Sequence, residues 1–145
     1  MVNKVALFGY GRAGKIHFNN LLNHSNFKLS YVIELLDISD ILEKINPNIK
    51  YINFNNNKKL QEIINDKEIK AFIIASPTST HYELVKLGLN NNKHIFVEKP
   101  LTDNYEEINE CFELSKKNNL ILFVGYNRRF DPTLMKIKEQ VDNND

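Results

Sequence analysis

A chain of 145 residues is long enough for one domain with its own apolar core and needs no covalent staple to hold it. Lys and Arg number 19 against 18 Asp and Glu, a formal net charge of +1, so no long-range field draws the chain to nucleic acid or to an anionic membrane. A single cysteine, Cys111, rules out an internal disulfide, and no apolar run approaches the roughly eighteen residues of a membrane span, which together lead to the expectation of a soluble, cytoplasmic protein.

Taken in order, the chain alternates between short apolar runs and segments of helical period. Lys4 to Phe8 reads as a strand, Gly14 to Asn23 as a helix with Ile16, Phe18, Leu21 and Leu22 on one face, and Lys28 to Ile33 as a second strand. Asp37 or Ser39 can cap a helix through Ile45, where Pro47 forbids continuation. Tyr51 to Phe54 is a short strand, Lys58 to Asn65 a helix with Leu60, Ile63 and Ile64 together, and Ala71 to Ala75 has the unbroken apolar character of a buried central strand. Thr80 to Leu89 then reads as helix and His94 to Val97 as strand. Asp103 to Lys117 is a helix with Ile108, Phe112 and Leu114 inward and Cys111 as a structural neighbour, and Leu120 to Val124 is a sixth strand. Asparagine-rich runs at 53–57 and 90–92 fall between these segments and read as loops. Six strands joined by crossovers match a doubly wound, Rossmann-type α/β sheet. Pro132 to Val141 reads as one further helix.

Three stretches carry chemistry. The first, VALFGYGRAG at 5–14, turns from strand to helix through Gly9, Gly11 and Gly14, the spacing of a dinucleotide-binding turn. The first glycine permits the tight turn, the second lets backbone approach a pyrophosphate, and the third lets helix pack on strand; the anion then sits at the helix N-terminus. Glu34 lies twenty residues beyond Gly14 at the end of the second strand, where a carboxylate accepts hydrogen bonds from the adenosine ribose and repels a 2′-phosphate. That predicts NAD in preference to NADP, although Arg12 in the turn and Asp37 beyond it bear on the same corner.

The second stretch, ASPTSTH at 75–81, leaves the fourth strand at its carboxyl end, the edge at which such sheets bind ligands. Ser76, Thr78 and Ser79 offer hydroxyls, Pro77 sets the chain direction, and Ser79 or Thr80 can cap the next helix; His81 reads as a satisfied structural histidine, or as a residue that orients the loop or touches a cofactor. The third, VEKPL at 97–101, follows the fifth strand. Lys99 there can act as acid or base on a substrate hydroxyl or polarise its oxygen, and Glu98 can pair with Lys99 or with a ribose, whereas the same residues would also make a plain exposed turn.

GYGRAGKIH at 9–17, ASPTSTH at 75–81, EKPL at 98–101 and GYNRRFDP at 125–132, in this order and spacing, resemble the N-terminal domain of the Gfo/Idh/MocA oxidoreductase family, on the branch of myo-inositol 2-dehydrogenase-like proteins. The resemblance implies a cofactor site made of Gly9, Tyr10, Gly11, Arg12, Ala13 and Gly14 at the pyrophosphate, and of Glu34 at the ribose. It places Ser76, Pro77, Thr78 and His81 beside the nicotinamide half, Glu98 and Lys99 near the cofactor with Lys99 at the reacting carbon, and Asn127 and Arg128 at the cleft between two domains. It assigns no metal. It also implies a division into a dinucleotide-binding domain at 1–125 and, at 126–145, a hinge and the start of a truncated substrate domain, with Arg129, Phe130 and Asp131 able to serve simply as that hinge.

Two functions follow as expectations. One is the nucleotide domain of an oxidoreductase that moves a hydride between NAD and a secondary alcohol of a polyol or sugar. The other is a dinucleotide-binding module or partner subunit without catalysis, because the family's second domain supplies the substrate pocket and an Asp and a His beside the lysine. Some relatives in the family resemble glycosidases or dehydratases that retain NAD, so net redox chemistry is not the sole outcome the resemblance allows. An isolated nucleotide domain would leave Leu134 and Ile137 on the last helix without cover, which favours self-association, as in a homo-oligomer, or poor solubility.

Overall fold

In the computed structural model, which describes residues 2–143, six parallel strands form one sheet. They are β1 (Asn3–Phe8), β2 (Phe27–Glu34), β3 (Lys50–Asn53), β4 (Ile69–Ile74), β5 (His94–Val97) and β6 (Leu122–Val124), in the order β3-β2-β1-β4-β5-β6. β1 is apolar without a break from Val5 to Phe8 because both of its faces are covered: Val5 and Leu7 enter one core, Ala6 and Phe8 the other. β4 divides in the same way, with Phe72 and Ile74 on the side of Phe8, and Ala71 and Ile73 on the side of Leu7.

The helices are α1 (Arg12–Leu22), α2 (Ser39–Ile45), α3 (Asn57–Asn65), α4 (His81–Asn90), α5 (Tyr105–Lys117) and α6 (Pro132–Asp142). Phe18 of α1 and Leu42 of α2 close the core on one face; Leu60, Ile63 and Ile64 of α3, Leu84, Val85 and Leu89 of α4, and Cys111 of α5 close the other. Each expected element is present, and the differences lie at its ends. α1 begins at Arg12, so Gly14 sits within its first turn. Asp37 accepts from the Ser39 N–H and hydroxyl just outside α2, and these bonds hold its carboxyl below the usual range. Residues Thr78–Thr80 form a 3-10 turn and α4 starts at His81; the Thr80 hydroxyl donates to Pro77 O at 2.8 Å and therefore caps no helix. α5 is capped by Asn104, whose Oδ1 accepts from the Glu106 and Glu107 amides. Phe112 does not face inward: the buried positions of α5 are Cys111 and Ser115, one turn apart, and Phe112 is rotated away from them. Burial pushes the Cys111 thiol up to about 11, the state of an inert structural cysteine.

The register aligns the strand ends. Phe8 is paired with Ile33 and with Ile74, Ile74 with Val97, and Val97 with Val124. Each ladder then continues by one bond: Gly9 N–H donates to Ile33 O, Ala75 N–H to Phe8 O, Glu98 N–H to Ile74 O and Gly125 N–H to Val97 O, all at 2.8 Å. The four motifs thus leave the sheet level with one another at its carboxyl edge, and β1 lies where the strand order reverses, the place at which such sheets open a crevice.

The amino edge is closed by a buried lysine. Lys93, 3 % exposed, donates from Nζ to Asp66 O at 2.6 Å and Ile69 O at 3.0 Å, and burial lowers its pKa from the ordinary lysine value. Lys93→Met removes both bonds and leaves Asp66 O only the Ile69 N–H at 3.2 Å, and a urea titration is expected to read a loss of about 1–3 kcal/mol with the sheet retained by circular dichroism.

Candidate functional site

Gly9 has φ +93°, and a Cβ there would lie 2.6 Å from Ala75 O and 2.7 Å from Ser76 N. A Cβ on Gly14 would fall on Gly9 O. Both glycines are therefore required by the chain's own atoms. Gly11 is different, because a Cβ there would meet nothing within 4 Å. The open space beside Gly11 fronts the start of α1, whose first main-chain bond runs from Lys15 N–H to Gly11 O and leaves the amides of Arg12, Ala13 and Gly14 without an intrahelical acceptor. No acidic side chain stands in that first turn. Backbone amides, a helix dipole and an unfilled cradle fit a pyrophosphate.

Beside the turn lies a cleft of about 690 Å³ that runs from the glycines over the end of β2, lined by Tyr10, Lys15, Glu34, Leu36, Ile41 and Pro77 among others. Glu34 is no loose strand end. Its Oε2 accepts from the Tyr10 N–H at 2.6 Å and its Oε1 from the Leu35 N–H at 2.7 Å, so the carboxylate is clamped across the turn with lone pairs left on each oxygen for ligand hydroxyls. Tyr10 is itself held edge-on to Phe18, with centroids 5.2 Å apart, and carries the Lys15 ammonium 5.6 Å from its ring centre.

On the other side of the turn, the two remaining loops are tied together by His81. Its ring is 1 % exposed; Nδ1 lies 2.8 Å from Pro100 O and Nε2 2.9 Å from Ser76 O. With both nitrogens on main-chain carbonyls, His81 has none left for a ligand and works as the strut between the loops. Thr80 spends its hydrogen on Pro77 O, so in the 2.7 Å contact between the two hydroxyls Ser76 is the donor. Lys99, joined to Pro100 by a cis peptide bond, is exposed. Glu98 is half-buried beside it: Oε2 accepts from the Lys99 N–H at 3.3 Å and Oε1 from His17 Nε2 at 2.8 Å. Asn127 borders a smaller cavity of about 300 Å³ with His17, Phe96 and Glu98, whereas Arg128 is exposed in the adjoining 3-10 turn and lines neither space.

A family profile described as "Oxidoreductase family, NAD-binding Rossmann fold" matches residues 3–126. The chain belongs to the Gfo/Idh/MocA oxidoreductase family. It is 34 % identical to a myo-inositol 2-dehydrogenase of Thermotoga maritima over 142 residues, 97 % of this chain and 41 % of that protein. A scyllo-inositol 2-dehydrogenase (NADP(+)) of Bacillus subtilis is 29 % identical over 140 residues, 95 % of this chain and 37 % of that one. A crystal structure of scyllo-inositol dehydrogenase from Lactobacillus casei, with bound NAD(H) and scyllo-inositol, superposes with a TM-score of 0.82 at 26 % identity over 99 % of this chain and 42 % of that one. The chain thus spans about 40 % of the length of these relatives. Within the described residues no helix is long and apolar enough to cross a membrane.

For this family member the structure brings the glycine turn, Glu34, Ser76, Pro77, Glu98 and Lys99 to one edge. Sequence reasoning missed His17 as a site residue; the available signal was its position three residues after Gly14, on the helix face that meets the sheet. His81→Phe removes the ring N–H that ties the two loops and leaves the carbonyl it served unpaired. Thermal or urea unfolding is expected to report a loss of about 2–4 kcal/mol.

Proposed function

We propose that residues 1–125 are the NAD-binding domain, and residues 126–145 the hinge and first helix of a second domain, of a dehydrogenase acting on a secondary alcohol of a polyol or sugar, with an inositol as the first substrate to try. The observation that carries this reading is the alignment of four loops at one sheet edge: an anion cradle at 11–14, a clamped carboxylate at Glu34, the Ser76 loop, and an exposed Lys99 beside a half-buried Glu98. The named activities of the relatives support the substrate class.

The nicotinamide, when bound, supplies the carbon that accepts or returns the hydride. The amides of Arg12, Ala13 and Gly14 hold the pyrophosphate, and Glu34 accepts from the ribose hydroxyls. Ser76, Pro77 and Thr78 flank the nicotinamide half. Lys99 meets the substrate oxygen, taking the hydroxyl proton or steadying the alkoxide that develops as hydride leaves the carbon. Asn127 stands at the mouth of this crevice as the contribution of the hinge.

Glu34, with Asp37 three residues further on, also sets the cofactor. A 2′-phosphate would bring two negative charges to a corner that already holds two carboxylates, and Lys15, which lines the same cleft, rests over the Tyr10 ring. Titrations followed by nicotinamide fluorescence, which are clean because the chain has no Trp, are expected to give NADH at least about tenfold tighter than NADPH. Glu34→Ala should cost NADH about tenfold and narrow that gap; equal affinities in the unaltered chain would overturn the preference.

Turnover is to be tested on the gene product as its native cell makes it. There, NAD reduction with myo- or scyllo-inositol is expected to fall by roughly 10²–10⁴ in Lys99→Ala with NADH affinity nearly unchanged. NADH binding without turnover on any polyol or sugar would instead leave nucleotide binding as the function.

A further inference from the structure

The His17 side chain bridges the glycine-turn helix to the Lys99 loop. α1 is fixed to the sheet by the contact between Gly14 and Gly9 O, and His17 follows Gly14 by three residues on the same helix face. Its Nε2 reaches Glu98 Oε1 at 2.8 Å, and since a carboxylate only accepts, Nε2 carries the hydrogen. The ring is seated on Phe96, with centroids 4.8 Å apart at 63°, which sets its plane. The other carboxylate oxygen holds the Lys99 N–H at 3.3 Å. Gly125 keeps the remaining side clear: a Cβ there would come within 3.0 Å of the Phe96 ring and 3.5 Å of Glu98 Oε2. Side-chain exposures of 20 % and 24 % for His17 and Glu98 mean that the pair is sheltered enough for its geometry to persist.

We propose that His17 is a positioning residue: through the Glu98 carboxylate it holds the backbone at Lys99 in register with the helix whose N-terminus receives the pyrophosphate. The device rests on the reading of Lys99 as the residue that meets the substrate oxygen, and it makes cofactor binding and lysine placement parts of one rigid unit. His81 anchors the far side of the same loop through Pro100 O. Lys99 is thereby pinned on both flanks while its ammonium stays exposed.

The test is two-dimensional NMR of the 145-residue chain, following the Lys99 amide without and with NADH. His17→Phe keeps a ring on Phe96 and loses the donor, while His17→Gln restores an N–H at a similar reach. The Lys99 amide is expected to shift and to exchange with solvent roughly two- to tenfold faster in His17→Phe, and to return to its original position in His17→Gln. Addition of NADH should move the Gly9, Gly11 and Gly14 amides in both variants but the Lys99 amide only where the donor is present. An unaltered Lys99 amide in His17→Phe, or failure of His17→Gln to restore it, overturns the proposal; His17→Leu replaces the larger variant if that one does not fold. None of these readouts uses turnover, so a Lys99→Ala gene product that kept its activity would refute the role of Lys99 and leave the His17 contact standing.

Discussion

One backbone contact fixes the geometry on which everything else depends: the carbonyl of Gly9 lies against Gly14, and Gly9 itself lies against the main chain of Ala75 and Ser76. With φ at +93° and no room for a Cβ at either position, the chain can leave β1, reverse and enter α1 within three residues. That close approach aims the first amides of α1 at the crevice. It also brings the turn against the Ser76 loop and places the face of α1 that carries Phe18 and His17 over the sheet.

The sheet supplies the second requirement, which is level ends. Because β1, β2, β4, β5 and β6 stop in one paired row, the loops that follow start side by side and need only short side chains to reach one another. Three side chains do so, each with at least one main-chain partner. Glu34 clamps Tyr10 to Leu35, His81 joins Ser76 to Pro100, and Glu98 joins Lys99 to His17. A buried or half-buried polar side chain whose partners are main-chain groups cannot rotate away without leaving them unpaired, so each of these bonds stiffens the loop it crosses. A rigid crevice suits an NAD-binding oxidoreductase domain, since reacting groups must be held at fixed separation before chemistry can be fast.

By contrast, the apolar surface is finished on one side of the molecule only. α3, α4 and α5 bury the side of the sheet that carries Phe8, Phe72 and Val97, whereas on the side of α1 the stacked rings of Phe96, Phe123 and Phe130 remain partly or largely exposed. α6 buries none of its residues, with Met135 and Ile137 each 49 % exposed. The nucleotide crevice is complete on the strand ends, while the β6 side and α6 carry apolar area that no element among the described residues covers.

The sequence by itself determined the alternation of strands and helices, the doubly wound class, the glycine turn and the carboxylate at Glu34, because each rests on a local rule: period two or 3.6, a φ that only glycine takes easily, or a fixed spacing along one βαβ unit. It also located the loops of the crevice, since every one follows an apolar run. Only the tertiary structure decided what the side chains in those loops touch. Phe112 turned outward because Cys111 and Ser115 hold the inward positions of α5, the Thr80 hydroxyl went to Pro77 O and not to a cap, His81 was drawn into a strut, and His17 met Glu98 from 81 residues away. Those outcomes depend on the register that levels the strand ends and on the close approach at Gly14, neither of which a local pattern encodes.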